Sequence, residues 1–410
     1  MALADLTDWI DEYSKPPAVW FVKRLAANDT LATHSHQAGP YIPKKVLLSV
    51  IPDLNRPRQN NPDFHFDLYI DSHAAHQKIR AIWYNSKLHG TGTRNETRLT
   101  GFGGISSALL DPDNTGSLAA FVFVPDSNGN MTCHVWVCDQ EAQDDLFEDR
   151  IGIVEPKHFL IWTPGAIPSQ GDLFAKAKRG HCWLSDGEIP SIWLENFPSG
   201  EAIIEKTMAL RPAIGASPDV RLLQRRTCEY EIFRSVETAF WMPKVSKGFD
   251  SIDSFTGLAQ TILQSRRSRA GKSLEYHARA IFCEEGLKPS TDFSYNPVLP
   301  GKKRPDFIFP SEEAYNDAGF PQSHLRMLAA KTTCKDRWRQ ILTEADRISK
   351  KHLLTLQEGV SENQFNEMLA HKVQLVVPSG LHRAYPETIR PHLMTLEEFI
   401  GDLRLLKTSH

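Results

Sequence analysis

The sequence predicts a two-domain α+β protein, in which a β-rich barrel or sandwich precedes a mixed sheet flanked by helices. Three observations carry this expectation. The chain has 410 residues, more than one typical domain needs. Its first part reads as short strands between turn-rich intervals, and from about residue 219 helical periodicity alternates with apolar strand-like runs. Between these parts, from about 163 to 218, Pro and Gly recur too often for long regular elements. The expected organisation is a first domain at 1–175, a linker at 176–215 and a second domain at 216–410.

In the first domain, strands are expected at Tyr41-Ile42, Phe64 to Ile70, Ile79 to Tyr84, Leu118 to Val124 and His134 to Val137, a spacing that suits a small barrel. In the second, Leu222, Leu223, Tyr230, Ile232, Phe233 and Val236 mark one helix. Leu274, Ala278, Ile281 and Phe282 mark another, with Glu275 beside the apolar stripe. Asp306-Phe-Ile-Phe and Arg326 to Lys331 read as buried strands. A helix is expected over 335–350, with Trp338, Ile341, Leu342, Ala345 and Ile348 as its core stripe. A strand at His352 to Leu356, a helix near 362–371, a strand at Val373 to Val377 and a final helix from Leu396 complete the domain.

Hydrophobic residues make up 41% of the chain, ample for buried cores. Lys and Arg number 47 against 50 acidic residues, so the net charge of -3 excludes a globally basic nucleic-acid binder and leaves only local basic surfaces. Such clusters occur at Arg221, Arg225 and Arg226, at Lys302 to Arg304, and at Lys335, Arg337 and Arg339. The six cysteines have no Cys-x-x-Cys or zinc-ribbon spacing and no apolar signal segment opens the chain, so a reduced, cytoplasmic protein is expected. No stretch approaches the roughly 18 apolar residues of a membrane span.

The chemistry concentrates between Arg304 and Glu344. A carboxylate at one strand end (Asp306) and a lysine at the next (Lys331) can hold a divalent cation against a phosphodiester, with Glu275 or Glu344 as a further oxygen ligand. Lys331 can orient water and offset charge growing on phosphorus. The alternative is that Asp306 caps a turn and Lys331 is solvated. Lys335, Asp336 and Arg337 hold the donors and the acceptor needed to read C·G pairs in a major groove, although a charged helix start would look the same. Arg337 and Glu344 are placed on one face of the expected helix. In the first domain, Arg94, Glu96 and Arg98 form a polar loop able to touch bases and phosphates, or simply a solvated one. Gly271-Lys272-Ser273 lacks the first glycine and the preceding strand of a phosphate loop, and His34, His36, His73 and His76 lack further ligands at zinc spacing.

The chain resembles the EcoRII family of type IIE restriction endonucleases along nearly its whole length. The resemblance rests on Ser268 to Glu275, Lys303 to Pro310, Leu325 to Leu342, Ala27 to Thr30 and Ala81 to Ser86. It implies a C-terminal PD-(D/E)XK nuclease and an N-terminal DNA-binding pseudobarrel that takes a second copy of the target as effector. Glu275, Asp306, Lys331 and Glu344 match the catalytic positions. Lys335, Asp336 and Arg337 match the C·G-reading segment, and Arg226 and Tyr230 match residues that hold flipped central bases, where aromatic stacking suits an extruded base. His36, Tyr41, Arg94, Glu96 and Arg98 match effector-binding positions. Gly92 and Thr97 stand where the family carries lysines, which implies weaker effector binding or weaker salt dependence.

The expected protein is a homodimeric, Mg2+-dependent endonuclease that cuts both strands of double-stranded DNA at a CC(A/T)GG-like site. A twofold target calls for a twofold protein. The resemblance also implies a cognate DNA methyltransferase and an N-terminal domain that shields the catalytic cleft until effector DNA binds. The alternatives are a DNA-binding regulator on an inactive nuclease scaffold and a structure-selective repair nuclease.

Overall fold

A computed structural model describes residues 3–33, 39–164, 181–335 and 337–408. The first domain runs α1 (Leu3–Tyr13), β1 (Val19–Arg24), α2 (Lys44–Val50), β2 (Asp63–Ile70), β3 (Ala75–Tyr84), β4 (Glu96–Thr100), β5 (Leu118–Pro125), β6 (Met131–Val137), α3 (Glu141–Ile151) and β7 (Phe159–Trp162). Its strands form one curled sheet in the order β4-β3-β2-β6-β5-β1-β7. All neighbours are antiparallel except β2 and β6.

Both faces of this sheet are covered, and successive side chains point to opposite faces. Ala119, Phe121 and Phe123 therefore join Cys133, Val135 and Val137 in one core, while Leu118, Ala120, Val122 and Trp136 join another. Double coverage explains why β5 reads as an unbroken apolar run. Tyr41-Ile42 is not a strand; the pair precedes α2. β1 and β4 escaped the sequence pattern because charged residues sit within them, Lys23 and Arg24 in one, Glu96 and Arg98 in the other.

The remainder holds α4 (Ser191–Glu195), α5 (Gly200–Leu210), α6 (Pro218–Ser246), α7 (Ile252–Glu284), β8 (Ser294–Tyr295), β9 (Phe307–Phe309), α8 (Glu312–Asn316), β10 (Arg326–Ala330), β11 (Lys351–Leu354), α9 (Glu362–Ala370), β12 (Val373–Val376) and α10 (Leu396–Thr408). The sheet order is β12-β11-β10-β9-β8; β10, β11 and β12 are parallel to one another, and β8, β9 and β10 antiparallel. This is the mixed, helix-flanked sheet that the sequence predicts.

Three expectations need correction. Within the expected linker, the segment from 181 is packed rather than irregular. The Ser199 hydroxyl caps α5, and Ile203 of α5 joins Ile189, Ile232 and Phe233 in a core against α6. The cysteines are not all reduced, because a disulfide joins Cys182 to Cys228 of α6. The expected helix at 335–350 is a 3-10 helix over Arg337–Thr343, after which Ala345 turns the chain at φ 48°. Trp338, Ile341, Ala345 and Ile348 are buried as the stripe predicts, but a tight turn and a left-handed residue bury them rather than a continuous helix.

Candidate active site and nucleic-acid interface

The antiparallel pairing of β9 with β10 sets the first contact. Asp306 immediately precedes β9, so it lies beside the end of β10 rather than ending its own strand. Its Oδ2 accepts the Ala330 amide at 2.7 Å and the Lys331 Nζ at 3.3 Å. The peptide contact fixes the carboxylate, and Lys331, half-buried just past β10, stays tied to it.

Glu275 reaches the same place from α7. The Tyr295 hydroxyl on β8 donates to Glu275 Oε2 at 2.9 Å. Burial pushes the Glu275 carboxyl up and the nearby Asp306 charge adds to this, while the Tyr295 hydrogen bond opposes it. Glu344 arrives from the turn after the 3-10 helix. Burial and Asp306 push its carboxyl up to about 7, against Lys331 and Lys351. Its Oε2 is buried without a hydrogen-bond partner. The Arg337–Glu344 helix face does not exist, because Glu344 lies beyond the seven-residue 3-10 helix.

Asp306 is thus the electrostatic hub of Glu275, Glu344 and Lys331. Among the described residues, no three metal-ligating side chains already stand close enough to cage an ion. The carboxylates repel one another, and Lys331, Lys351 and the Tyr295 hydroxyl offset part of that repulsion. The donors are nevertheless those a hard divalent ion prefers, and an orphaned buried carboxylate oxygen is what an oxygen-binding cation satisfies.

The residues expected to touch DNA divide into two groups. Tyr41 is about half-exposed and lines a small cleft with Arg98, while Arg98 pairs with Glu96 at 3.3 Å and Arg94 lies over the Tyr84 ring at 5.2 Å. These four share one end of the N-terminal sheet, with Glu96 and Arg98 on β4 rather than in a loop. Thr97 points inward and is buried, so in this conformation it occupies no phosphate-facing position. His36 and Asp336 lie outside the described residues.

Lys335, Arg337 and Arg226 face the N-terminal domain. Lys335 Nζ donates to the Ser117 hydroxyl at 2.6 Å and to the Cys138 carbonyl at 3.0 Å. Arg337 Nε donates to Glu141 at 3.0 Å, and Gln340 donates to the same carboxylate at 3.1 Å. Arg226 donates to Glu155 at 2.9 Å, as Arg269 does at 2.7 Å. Tyr230 lies under the Arg269 guanidinium at 5.1 Å and beside the His158 ring at 4.5 Å. Burial pushes the Glu155 carboxyl up, but Arg226 and Arg269 more than reverse this and hold it at about 2. Sequence reasoning missed Glu141, Glu155, Tyr295 and Lys351. Each acts through a partner distant in the chain, so no local pattern marks it.

A curled-sheet domain docked over a mixed sheet that carries a carboxylate–lysine centre is the build of a two-domain restriction endonuclease. The family models agree: "Restriction endonuclease EcoRII, N-terminal" matches residues 14–166, and "EcoRII C terminal" matches residues 233–400. Over 407 residues, 98% of each protein, the chain is 41% identical to the type II restriction enzyme EcoRII of Escherichia coli. The chain belongs to the EcoRII family. Similar solved structures include metal-depleted Ecl18kI with uncleaved DNA (23% identity, 55% of this chain and 86% of that one, TM-score 0.43). Another is the UbaLAI restriction endonuclease B3 domain with cognate DNA (22% identity, 38% of this chain and 98% of that one, TM-score 0.28).

Proposed function

We propose that this protein is a type II restriction endonuclease that hydrolyses both strands of duplex DNA at a CC(A/T)GG-like site. The observation that carries the reading is the convergence of Glu275, Lys331 and Glu344 on Asp306. Asp306, Glu275 and Glu344 would hold Mg2+, which supplies Lewis-acid stabilisation of the phosphoryl oxygen and a more acidic water. Lys331 orients the attacking water and offsets charge on the pentavalent phosphorus. The Ala330 amide keeps Asp306 in place, and the Tyr295 hydroxyl keeps Glu275 turned toward it.

The target is read by Lys335, Asp336 and Arg337, and its central bases are held by Arg226 and Tyr230. In the docked arrangement Lys335, Arg337 and Arg226 are taken up by Ser117, Glu141 and Glu155, so the N-terminal domain competes with DNA for the same donors. Effector DNA bound at Tyr41, Arg94, Glu96 and Arg98, with His36, would release them. The first domain is assigned to 1–175, a boundary that lies outside the described residues, and the nuclease domain to 216 onward, with the helices that precede it from 181 packed on it. The enzyme works as a homodimer with a cognate methyltransferase protecting host sites, in the cytoplasm, where the Cys182–Cys228 disulfide would be an exception to the usual reduced state. No described helix is long and apolar enough to cross a membrane.

The test is digestion of plasmids with and without CC(A/T)GG, in magnesium or in EDTA. Cutting only with both site and metal supports the proposal. Cutting irrespective of sequence favours a repair nuclease, and binding without cutting favours a regulator.

A further inference from the structure

The α6–α7 hairpin runs past the body of the nuclease domain. Its last clamp is Glu237, which accepts Arg266 at 2.6 Å. Beyond this, from Met242 to Gly257, every residue is exposed. Five of them are large and apolar: Met242, Val245, Phe249, Ile252 at 82% exposure and Phe255 at 53%. A cluster of this kind, rimmed by polar residues, marks an interaction site rather than ordinary surface.

We propose that this hairpin tip is the surface through which a second copy of the chain docks. The proposal rests on the homodimer reading above and adds the surface. Two observations select a second copy over other occupants. The tip carries Lys244 and Lys247 where α6 ends and Asp250 and Asp253 where α7 begins, so its charges sum to zero and segregate by helix. A twofold rotation sets the basic flank of one copy against the acidic flank of the other, the self-complementarity an isologous interface needs, whereas a DNA-binding surface needs net positive charge. Length is the second: the exposed stretch from Met242 to Gly257 is 16 residues, so a copy docked here forms a contact below the about 20–30 residues per side of a standard interface, in the range of a small one. Trp241 lies about 16 Å along α6 from Tyr230, so docking here leaves the base-holding residues clear.

The test is sedimentation velocity on the full chain and on the Ile252→Asp/Phe255→Asp variant, with circular dichroism as a control for folding. The expected result is a wild-type dimer and a folded variant whose dimer dissociation constant rises about tenfold or more. A second pair of variants reads the charges: Lys244→Asp/Lys247→Asp and Asp250→Lys/Asp253→Lys should each dimerise poorly alone and associate when mixed. This pair decides the matter if the first variant misfolds. A folded variant that dimerises as tightly as wild type overturns the proposal while leaving the homodimer intact. So does a variant that stays dimeric but loses DNA binding, which would make the tip a DNA contact. A monomeric wild type overturns the homodimer reading itself.

Discussion

Glu155 of the N-terminal sheet domain accepts Arg226 of the nuclease domain at 2.9 Å, and both side chains are buried. Arg269 donates to the same oxygen at 2.7 Å. Two guanidinium groups that could serve an anionic ligand are therefore shared between this carboxylate from the other domain and Glu229 of their own, which Arg269 reaches at 2.9 Å and Arg226 at 3.2 Å. Neutralising Glu155 leaves two buried guanidinium groups sharing the single Glu229 carboxylate, so the docked state must carry an uncompensated buried positive charge. Glu155→Gln should accordingly favour domain opening. Initial cleavage of a single-site duplex without added effector should rise above wild type, and an unchanged rate would mean that Glu155 does not hold the domains closed. Glu155 stays ionised down to about pH 2, so ordinary acidification should not open this contact.

The same logic applies to the whole domain. Removing residues 1 to about 180, which leaves the segment from 181 packed on α6, frees Lys335, Arg337 and Arg226 together from Ser117, Glu141 and Glu155. The truncated protein should cut single-site DNA faster than the full chain. If it cuts no better, the docked domain is not inhibitory.

Arg337 donates to Glu141 at 3.0 Å when the domains are docked and is proposed to donate to guanine when they are not. Arg337→Ala should lose roughly 1–3 kcal/mol of discrimination between the target and a one-base variant for each bidentate contact removed. Competition binding against such a variant duplex is the measurement. Equal losses on both duplexes would reduce Arg337 to a phosphate contact.

Glu344 supplies a pH dependence. Burial, with Asp306 adding to it, raises its carboxyl from the ordinary 4.5 to about 7. Between these values the folded protein keeps a proton that the unfolded chain has lost, so this group's contribution to stability is present below about pH 4.5 and declines as pH rises toward 7. Binding a divalent cation must expel the same proton, so apparent metal affinity should climb up to about pH 7 and level off above it. Calorimetric titration on either side of that pH measures this, and Glu344→Gln should flatten the profile. A wild-type profile already flat would remove Glu344 from the metal site.

Much of the nuclease domain was legible because its signals are local. The apolar runs of β9 and β10 and the helical stripe of α7 form the elements expected of them, and Asp306 and Lys331 do meet. The stripe of Trp338, Ile341, Ala345 and Ile348 was legible as burial but not as geometry, because a 3-10 turn followed by a left-handed alanine buries nearly the same positions as an α-helix. Nothing local marks Glu141 or Glu155, whose role depends on docking between domains. Nor does cysteine spacing along the chain reveal that Cys182 and Cys228, separated by 46 residues, meet when the segment from 181 folds onto α6.

Whether Asp306 organises a single hydrolytic centre is tested most directly by single-turnover cleavage of a CC(A/T)GG duplex in magnesium, with wild type beside Asp306→Ala. The variant should bind the duplex as specifically as wild type and leave it uncut. A variant that cuts at the wild-type rate would contradict a centre built on Asp306.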